Sequence, residues 1–317
     1  MPLPFRTVIA TTDFSEKSVF ALRAAAKLAV TRATDLTIIH VVEDLSEGSA
    51  WLLLVETPAE IHADLERNAM EQLEAFYQKH VATFLPADRI HLRVRFGEAV
   101  DEILAVADET DAELIVTGSL GHGPVLSIFL GSTANQLVRQ STRPVLVVPE
   151  TKTPPNFDTI LAPVDPSELS RKSLAQATQL ARASGGKVVA MNVLMAPGGV
   201  GDPAFPVYIG PDSLDKLRRE REGWLDGLVA EMGYEDVVSD TTVLSGDVAS
   251  GITMVADQVG ADLIVMGSHG RRGLRRFLLG NTAERILRRV PCPVLIIQSP
   301  DDTASVGDLT MSAPEPA

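Results

Sequence analysis

At 317 residues the chain is too long for one small domain and comfortable for two of about 150 residues each. Its 45% hydrophobic content is that of an ordinary globular protein, and its longest uninterrupted apolar run, Ala50 to Val55, falls far short of the roughly 20 residues a membrane span requires. A formal charge of −14 disfavours attraction to nucleic acid or anionic membrane, since both demand a basic surface, so any phosphate bound here must be held locally.

The chain opens on MPLPFRTVIATTDFS, with no charged region ahead of an apolar core and no small-residue cleavage site, which reads as a cytoplasmic protein without a secretory signal. FRTVIA is a short β-branched run that predicts a strand, Ser15 to Thr31 carries apolar residues at helical spacing, and LTIIHVV returns to strand character. A long helix is expected within 57–85, then strand IHLRVR, a helix from Glu98 to Thr110, strand ELIVTG, a glycine-bearing segment leading into a helix from Ser132, and strand PVLVV. The pattern is βαβαβαβαβ, and its strands are apolar on both faces, as expected of a parallel sheet covered by helices on both sides.

The whole pattern then repeats. TVIATTDFSEKSVFALRAAAKLA from Thr7 aligns with TILAPVDPSELSRKSLAQATQLA from Thr159, pairing Asp13 with Asp165 and Ser15 with Ser167. GEAVDEILAVADETDAELIVTGS from Gly97 aligns with GDVASGITMVADQVGADLIVMGS from Gly246, and the same register pairs Gly118 with Gly267, Gly121 with Gly270, and Gly131 with Gly280. The fold class expected is therefore α/β, two repeated Rossmann-like domains over 1–150 and 157–299, each a five-stranded parallel sheet flanked by helices. PETKTPPNFD, with three prolines, suits a short stiffened linker, and 300–317 reads as a disordered acidic tail.

The glycines carry the chemistry. Gly118 follows an apolar strand, and in such sheets ligands bind beyond the carboxyl ends of strands, where strand order reverses. Gly121 extends that loop, Gly131 precedes a helix whose free N–H groups point back toward it, and Ser132 and Thr133 add hydroxyls. Two readings stand: a phosphate cradle, present twice, or turn glycines with Ser132 as an ordinary N-cap. Asp13 and Asp165 follow the first strand of each half. If that strand neighbours the fourth, each carboxylate overlooks the same crevice and can accept hydrogen bonds from a ribose or an adenine amine; the alternative is capping of the first helix. No Walker-type lysine motif and no GxGxxG after a first strand accompany these glycines.

Several residues outside the glycine segments also carry groups capable of chemistry. His40 faces Asn192 in the repeat and reads as a packed strand-end histidine, while His122 and His269 occupy different loop positions, which argues against a shared general base. Cys292, between two prolines, reads as a buried strand residue and not a nucleophile. Arg271, Arg272, Arg275 and Arg276 form a basic patch that is either a solvated loop or a neighbour of an anion, and SEGSAWLLLVETP is either packing over the sheet edge or a partner-facing patch.

Taken together, the G-x2-G-x9-G-[ST] spacing of Gly118, Gly121, Gly131 and Ser132, with the words ATTDFSEKS, GSHGRRGLRRFLLG and PCPVLII, resembles the universal stress protein family in its tandem form. The resemblance covers all but the tail. It implies adenine-nucleotide-binding domains of the α-hydrolase-like type, holding ATP, with or without Mg, and it leaves any metal ligands unknown. Asp13 and the backbone at Val41 are implied to face adenosine, Gly118 and Gly121 the ribose and first phosphate, and Gly131, Ser132 and Thr133 the remaining phosphates. In the second half Asp165, Val193, Gly267, Gly270 and Gly280 match, but Asn281 replaces the motif's hydroxyl residue, with Thr282 beside it, so the second site departs from the pattern. The resemblance further implies pairing of the halves through the last strands, PVLVV and PVLII, and leaves a homodimer of such chains open. No base and metal clamp aimed at a terminal phosphate is legible, which points to a nucleotide-dependent stress-response regulator with little or no turnover. The alternatives are a slow ATPase or adenylating enzyme, with His122 as the candidate for hydrolysis, and a nucleotide-free interaction scaffold.

Overall fold

The computed structural model describes residues 5–30, 34–43, 58–85, 87–119, 130–150, 156–195, 211–269, 279–290 and 292–298. The first half runs β1 (Thr7–Thr11), α1 (Glu16–Val30), β2 (Asp35–Val42), α2 (Pro58–His80), β3 (Ile90–Phe96), α3 (Ala99–Glu109), β4 (Leu114–Gly118), α4 (Ser132–Gln140) and β5 (Val145–Val148). The second runs β6 (Thr159–Pro163), α5 (Glu168–Ser184), β7 (Lys187–Leu194), α6 (Pro211–Glu231), β8 (Val238–Ser245), α7 (Val248–Val259), β9 (Leu263–Gly267), α8 (Asn281–Leu287) and β10 (Val294–Ile297). The alternation expected from hydrophobic period is the alternation observed, with ends shifted by a residue or two.

All ten strands form one sheet in the order β3-β2-β1-β4-β5-β10-β9-β6-β7-β8. Within each half the strands are parallel, and β1 lies between β2 and β4 as the crevice reading requires. The halves meet where β5 and β10 pair antiparallel, Leu146 opposite Leu295, so the last strands pair within one chain as the resemblance implied. Because β5 and β10 run in opposite directions, the carboxyl ends of the two sets of strands lie at opposite ends of the sheet.

Each sheet face carries one continuous apolar core that crosses this joint. Helices α1, α2, α5 and α6 cover one face, burying Leu22, Leu73, Leu174 and Leu225 against strand residues such as Val8, Leu36, Ile160 and Val188. Helices α3, α4, α7 and α8 cover the other, burying Ile103, Leu137, Ile252 and Ile286 against Ile9, Ile115, Leu161 and Ile264. Around the joint Arg139 reaches Glu284 at 3.3 Å and Gln298 Nε2 donates to the Val138 carbonyl at 2.8 Å. The segment PETKTPPNFD is only in part a linker: Phe157 is buried in the core, and its carbonyl accepts a hydrogen bond from Ser184 Oγ at 2.8 Å. There α5 ends on Gly185, whose left-handed φ of 76° closes the last turn without a Cβ penalty, and Gly186 lies directly against the Phe157–Asp158 backbone.

Cys292 is buried, as expected, but it sits in the bend before β10 and not in the strand. Burial first, and then the nearby Asp262 carboxylate, push its thiol up to about 12, so it is inert as a nucleophile at neutral pH.

Candidate functional site

In the first half the crevice is built from the ends of three adjacent strands. The hydroxyl of Thr11, at the end of β1, donates to that of Thr117 in β4 at 3.0 Å in a buried contact, which fixes Asp13 and Gly118 a residue or two beyond a common level. Strand β2 runs further: Thr12 N–H donates to the Ile39 carbonyl and Gly97 N–H to the Val42 carbonyl. In a parallel strand, alternate residues direct both backbone groups to the same neighbour. Val41 therefore turns its N–H and C=O toward the β1 side, past the end of β1 and over Asp13. By the same alternation Val193 does so beside Asp165, since Val164 N–H donates to the Met191 carbonyl and Gly246 N–H to the Leu194 carbonyl.

The loop between β4 and α4 is pinched at its base, where Gly131 N–H donates to the Ser119 carbonyl at 2.7 Å; Gly280 N–H and the Ser268 carbonyl repeat this at 2.8 Å. Helix caps correct one part of the capping alternative, Ser132 as the N-cap. Helix α5 is capped by Ser167, whose side chain accepts from Ser170 N–H, and α7 by Asp247, which accepts from Ser250 N–H. Helix α4 instead has Gly131 at its N-cap, with Ser132 already the first helical residue, and α8 has Gly280. Ser132 is therefore not the cap, and a glycine has no side chain with which to satisfy the first-turn N–H groups. Ser132 is exposed and Thr133 half-buried, so both hydroxyls remain near the surface.

The two aspartates are not helix caps either. Asp13 Oδ1 accepts from Ser15 N–H and Oγ at 3.0 and 2.6 Å, and it is Ser15 Oγ that accepts from Ser18 N–H at 3.1 Å. Asp165 Oδ1 accepts from Ser167 Oγ and from Ser170 Oγ at 2.6 Å. Each carboxylate holds the serine that does the capping. If that were its only role, Asp13→Ala would lower the melting temperature and leave ligand affinity unchanged. We expect instead that it weakens adenosine and ATP alike by about tenfold, ~1.4 kcal/mol, in a calorimetric titration of both ligands.

Three features shape the corresponding region of the second half. A Cβ on Gly267 would lie 2.8 Å from the Leu169 side chain of α5, so helix packing favours a glycine here whether or not a ligand binds. A Cβ on Gly280 would lie 3.1 Å from the Ser268 carbonyl oxygen and 3.4 Å from His269 Cα, so the glycine lets the two ends of the loop close on each other. Helix α8, which starts at Asn281 and Thr282, is only 7 residues long and is clamped to α7 by a bidentate pair, Arg285 to Asp247 at 2.6 and 2.7 Å. The equivalent N-cap of α3, Glu98, makes no side-chain cap hydrogen bond.

The hydrogen bonds from Arg285 and Ser250 hold the Asp247 carboxyl well below its ordinary value of 3.8. Since the folded-state value is the depressed one, this stabilisation is present above about pH 4 and is lost as pH falls below it. Asp247→Asn, which can still cap the helix but loses the charge paired with Arg285, should therefore lower the stability at pH 7 by up to about 1 kcal/mol for a half-exposed pair, with the difference from the parent protein shrinking toward pH 3. Thermal melts across that range check it.

Gly121, Gly270, His122, the four arginines 271, 272, 275 and 276, and nearly all of SEGSAWLLLVETP lie outside the described residues. Among the described residues no three His, Cys, Asp or Glu side chains group closely enough to hold a metal ion, and no helix is long and apolar enough to cross a membrane.

A doubled α/β sheet with glycine-capped helices at the carboxyl ends of its strands is the architecture of a tandem Rossmann-like protein. The family model described as "Universal stress protein family" matches residues 4–149 and again 156–298, and the chain belongs to that family. A universal stress protein of Mycolicibacterium smegmatis is 26% identical over 303 residues, 92% of this chain and 96% of its own length. Another, from Mycobacterium tuberculosis, is 27% identical over 298 residues, 91% and 96% of the two chains. The crystal structure of a universal stress protein from Archaeoglobus fulgidus shares the fold, with a TM-score of 0.67 at 22% identity over 93% of this chain and 97% of that one.

Proposed function

We propose that the protein binds ATP as a ligand signal in a stress response, with little or no turnover, through the crevice at the carboxyl ends of β1, β2 and β4. The observation that supports this reading is the glycine cap of α4, a helix N-terminus with no side-chain cap hydrogen bond, which follows β4, the strand paired with the β1 that leads to Asp13. Asp13 and Val41 would take the adenosine, Gly118 and Gly121 the ribose and first phosphate, and Gly131, Ser132 and Thr133 the remaining phosphates, with Mg accompanying the nucleotide where it binds. Asp165, Val193, Gly267, Gly270, Gly280, Asn281 and Thr282 would serve a second site, in which the asparagine donates an amide N–H in place of a hydroxyl. We assign the protein to the cytoplasm and divide it into domains 1–150 and 157–299 followed by a tail.

Calorimetric titration of nucleotide-stripped protein with ATP tests the reading. A stoichiometry near two makes both halves working sites, and near one leaves the first half as the sensor. No binding sinks the ATP reading in favour of an interaction scaffold, and phosphate release at a steady rate replaces it with a slow ATPase.

A further inference from the structure

His40 in β2 and Asn192 in β7 occupy the same position of the repeat, and they make the same bond with different chemistry. His40 Nδ1 lies 2.9 Å from the Thr12 carbonyl oxygen; since a carbonyl only accepts, Nδ1 carries the proton. Asn192 Nδ2 donates to the Val164 carbonyl at 2.6 Å. Thr12 and Val164 are the residues immediately before Asp13 and Asp165. Their N–H groups are also held by the second strand of each half, at the Ile39 and Met191 carbonyls, so both backbone groups of each residue are fixed by one neighbouring strand.

Strand alternation places these side chains behind the crevice. Ile38 and Ala190, two residues earlier, face the core under α1, α2, α5 and α6, whereas the glycine-capped helices α4 and α8 lie on the opposite face. Because the peptide unit is planar, fixing the carbonyl of residue 12 fixes the N–H and the entry direction of Asp13. Asn192 is 6% exposed, and its Oδ1 has no partner among the described residues. A residue present only to fill space would avoid the cost of a buried unpaired acceptor, as leucine does, so the amide is there for its donor. In the first half the ring does more: it stacks on Phe14 at 4.1 Å between centroids, where Phe14 holds a φ of 63°, and Phe14 in turn meets Phe76 at 5.6 Å.

We propose that His40 and Asn192 are positioning residues that aim the Asp13 and Asp165 carboxylates from the side of the sheet away from the ligand. The proposal rests on the nucleotide reading above for its functional consequence. The donor, not the ring, is what the site needs.

The test follows the amide resonances of Asp13 and Asp165 in full-length protein, without ligand and during titration with ATP. His40→Leu is expected to shift the Asp13 amide in the ligand-free protein and to weaken ATP at the first site by about fivefold, while His40→Asn, which imports the other half's donor, restores both to within about twofold. In an Asp13→Ala background His40→Leu should weaken ATP no further, because it acts through that carboxylate; a purely structural role gives the same loss in both backgrounds. Parent affinity in His40→Leu, or the same loss with and without Asp13, overturns the proposal. Should His40→Leu fail to fold, Asn192→Leu, which is close in size and removes the donor without adding a charge, must shift the Asp165 amide, and an unmoved resonance overturns the proposal equally. Failure of the parent protein to bind ATP would sink the nucleotide reading alone, since the ligand-free shifts still report on the clamp.

Discussion

Gly131→Val is expected to abolish ATP binding in the first half, by about 100-fold or more, equivalent to ~3 kcal/mol, while the second half keeps its affinity. The argument rests on the N-cap. Gly131 sits where the chain turns into α4, its own N–H closing the loop onto the Ser119 carbonyl and the helix start left without a side-chain cap hydrogen bond. A valine there sets two methyl groups beside the donors that an anion would approach. The Gly131 φ of −58° and ψ of 150° are open to any residue, and the matching Cβ on Gly280, 3.1 Å from the Ser268 carbonyl oxygen, asks for a shift of only a few tenths of an ångström. Affinity and stability should therefore separate: ATP binding is lost in calorimetry while the thermal melt moves by a few degrees. Unchanged ATP affinity refutes the cradle, and a collapse of the melt would make Gly131 a packing residue.

Gly186→Ala should be the more damaging substitution for the fold. A Cβ at this position would lie 2.2 Å from the Phe157 carbonyl oxygen, 2.9 Å from that of Asp158 and 3.0 Å from Asp158 Cα, all of them backbone atoms. Side chains can swing away from such a contact, but here the entry to β6 must move, and it is anchored by buried Phe157 and by Ser184 Oγ on the same carbonyl. We expect a loss of about 3 kcal/mol, lowering the melting temperature by about 6–10 °C. Its neighbour is the control. A Cβ on Gly185 meets nothing within 4 Å, so Gly185→Ala carries only the left-handed backbone penalty, about 1 kcal/mol. Equal effects at the two positions would contradict the close-approach argument.

What could be read without the structure follows from physical range. Strand and helix order, the two halves and their parallel sheets were legible because period 2 and period 3.6 are written in consecutive residues, and because the chain states its pattern twice. The roles of single polar residues were less so, since they depend on where a backbone carbonyl falls. Ser132 looks like a helix cap in sequence, and only the turn geometry moves the cap to Gly131. Asp13 and Asp165 look like caps or ligand groups, and the structure has each holding the serine that caps. Gly267 looks like a ligand-approach glycine, but the collision with Leu169 comes from a helix nearly a hundred residues away in sequence. His40 reads in the sequence as a packed strand-end histidine because Asn192, its counterpart, is not a histidine. The signal that would have rescued it was present: both are side-chain N–H donors at one position of the repeat, where residue identity misleads and hydrogen-bonding class does not.

The antiparallel joint between β5 and β10 settles how the two crevices can influence one another through charge. Four strand spacings separate the β1–β4 junction from the β9–β6 junction, about 19 Å at roughly 4.8 Å each, and the openings face opposite ways along the strands. That span exceeds twice the screening length of about 8 Å at physiological salt, so a polyphosphate in one crevice scarcely repels one in the other. Occupancy of the two should then add as a sum of independent hyperbolas, with a Hill coefficient no greater than one, and a graded response spread over the two dissociation constants instead of a sharp threshold.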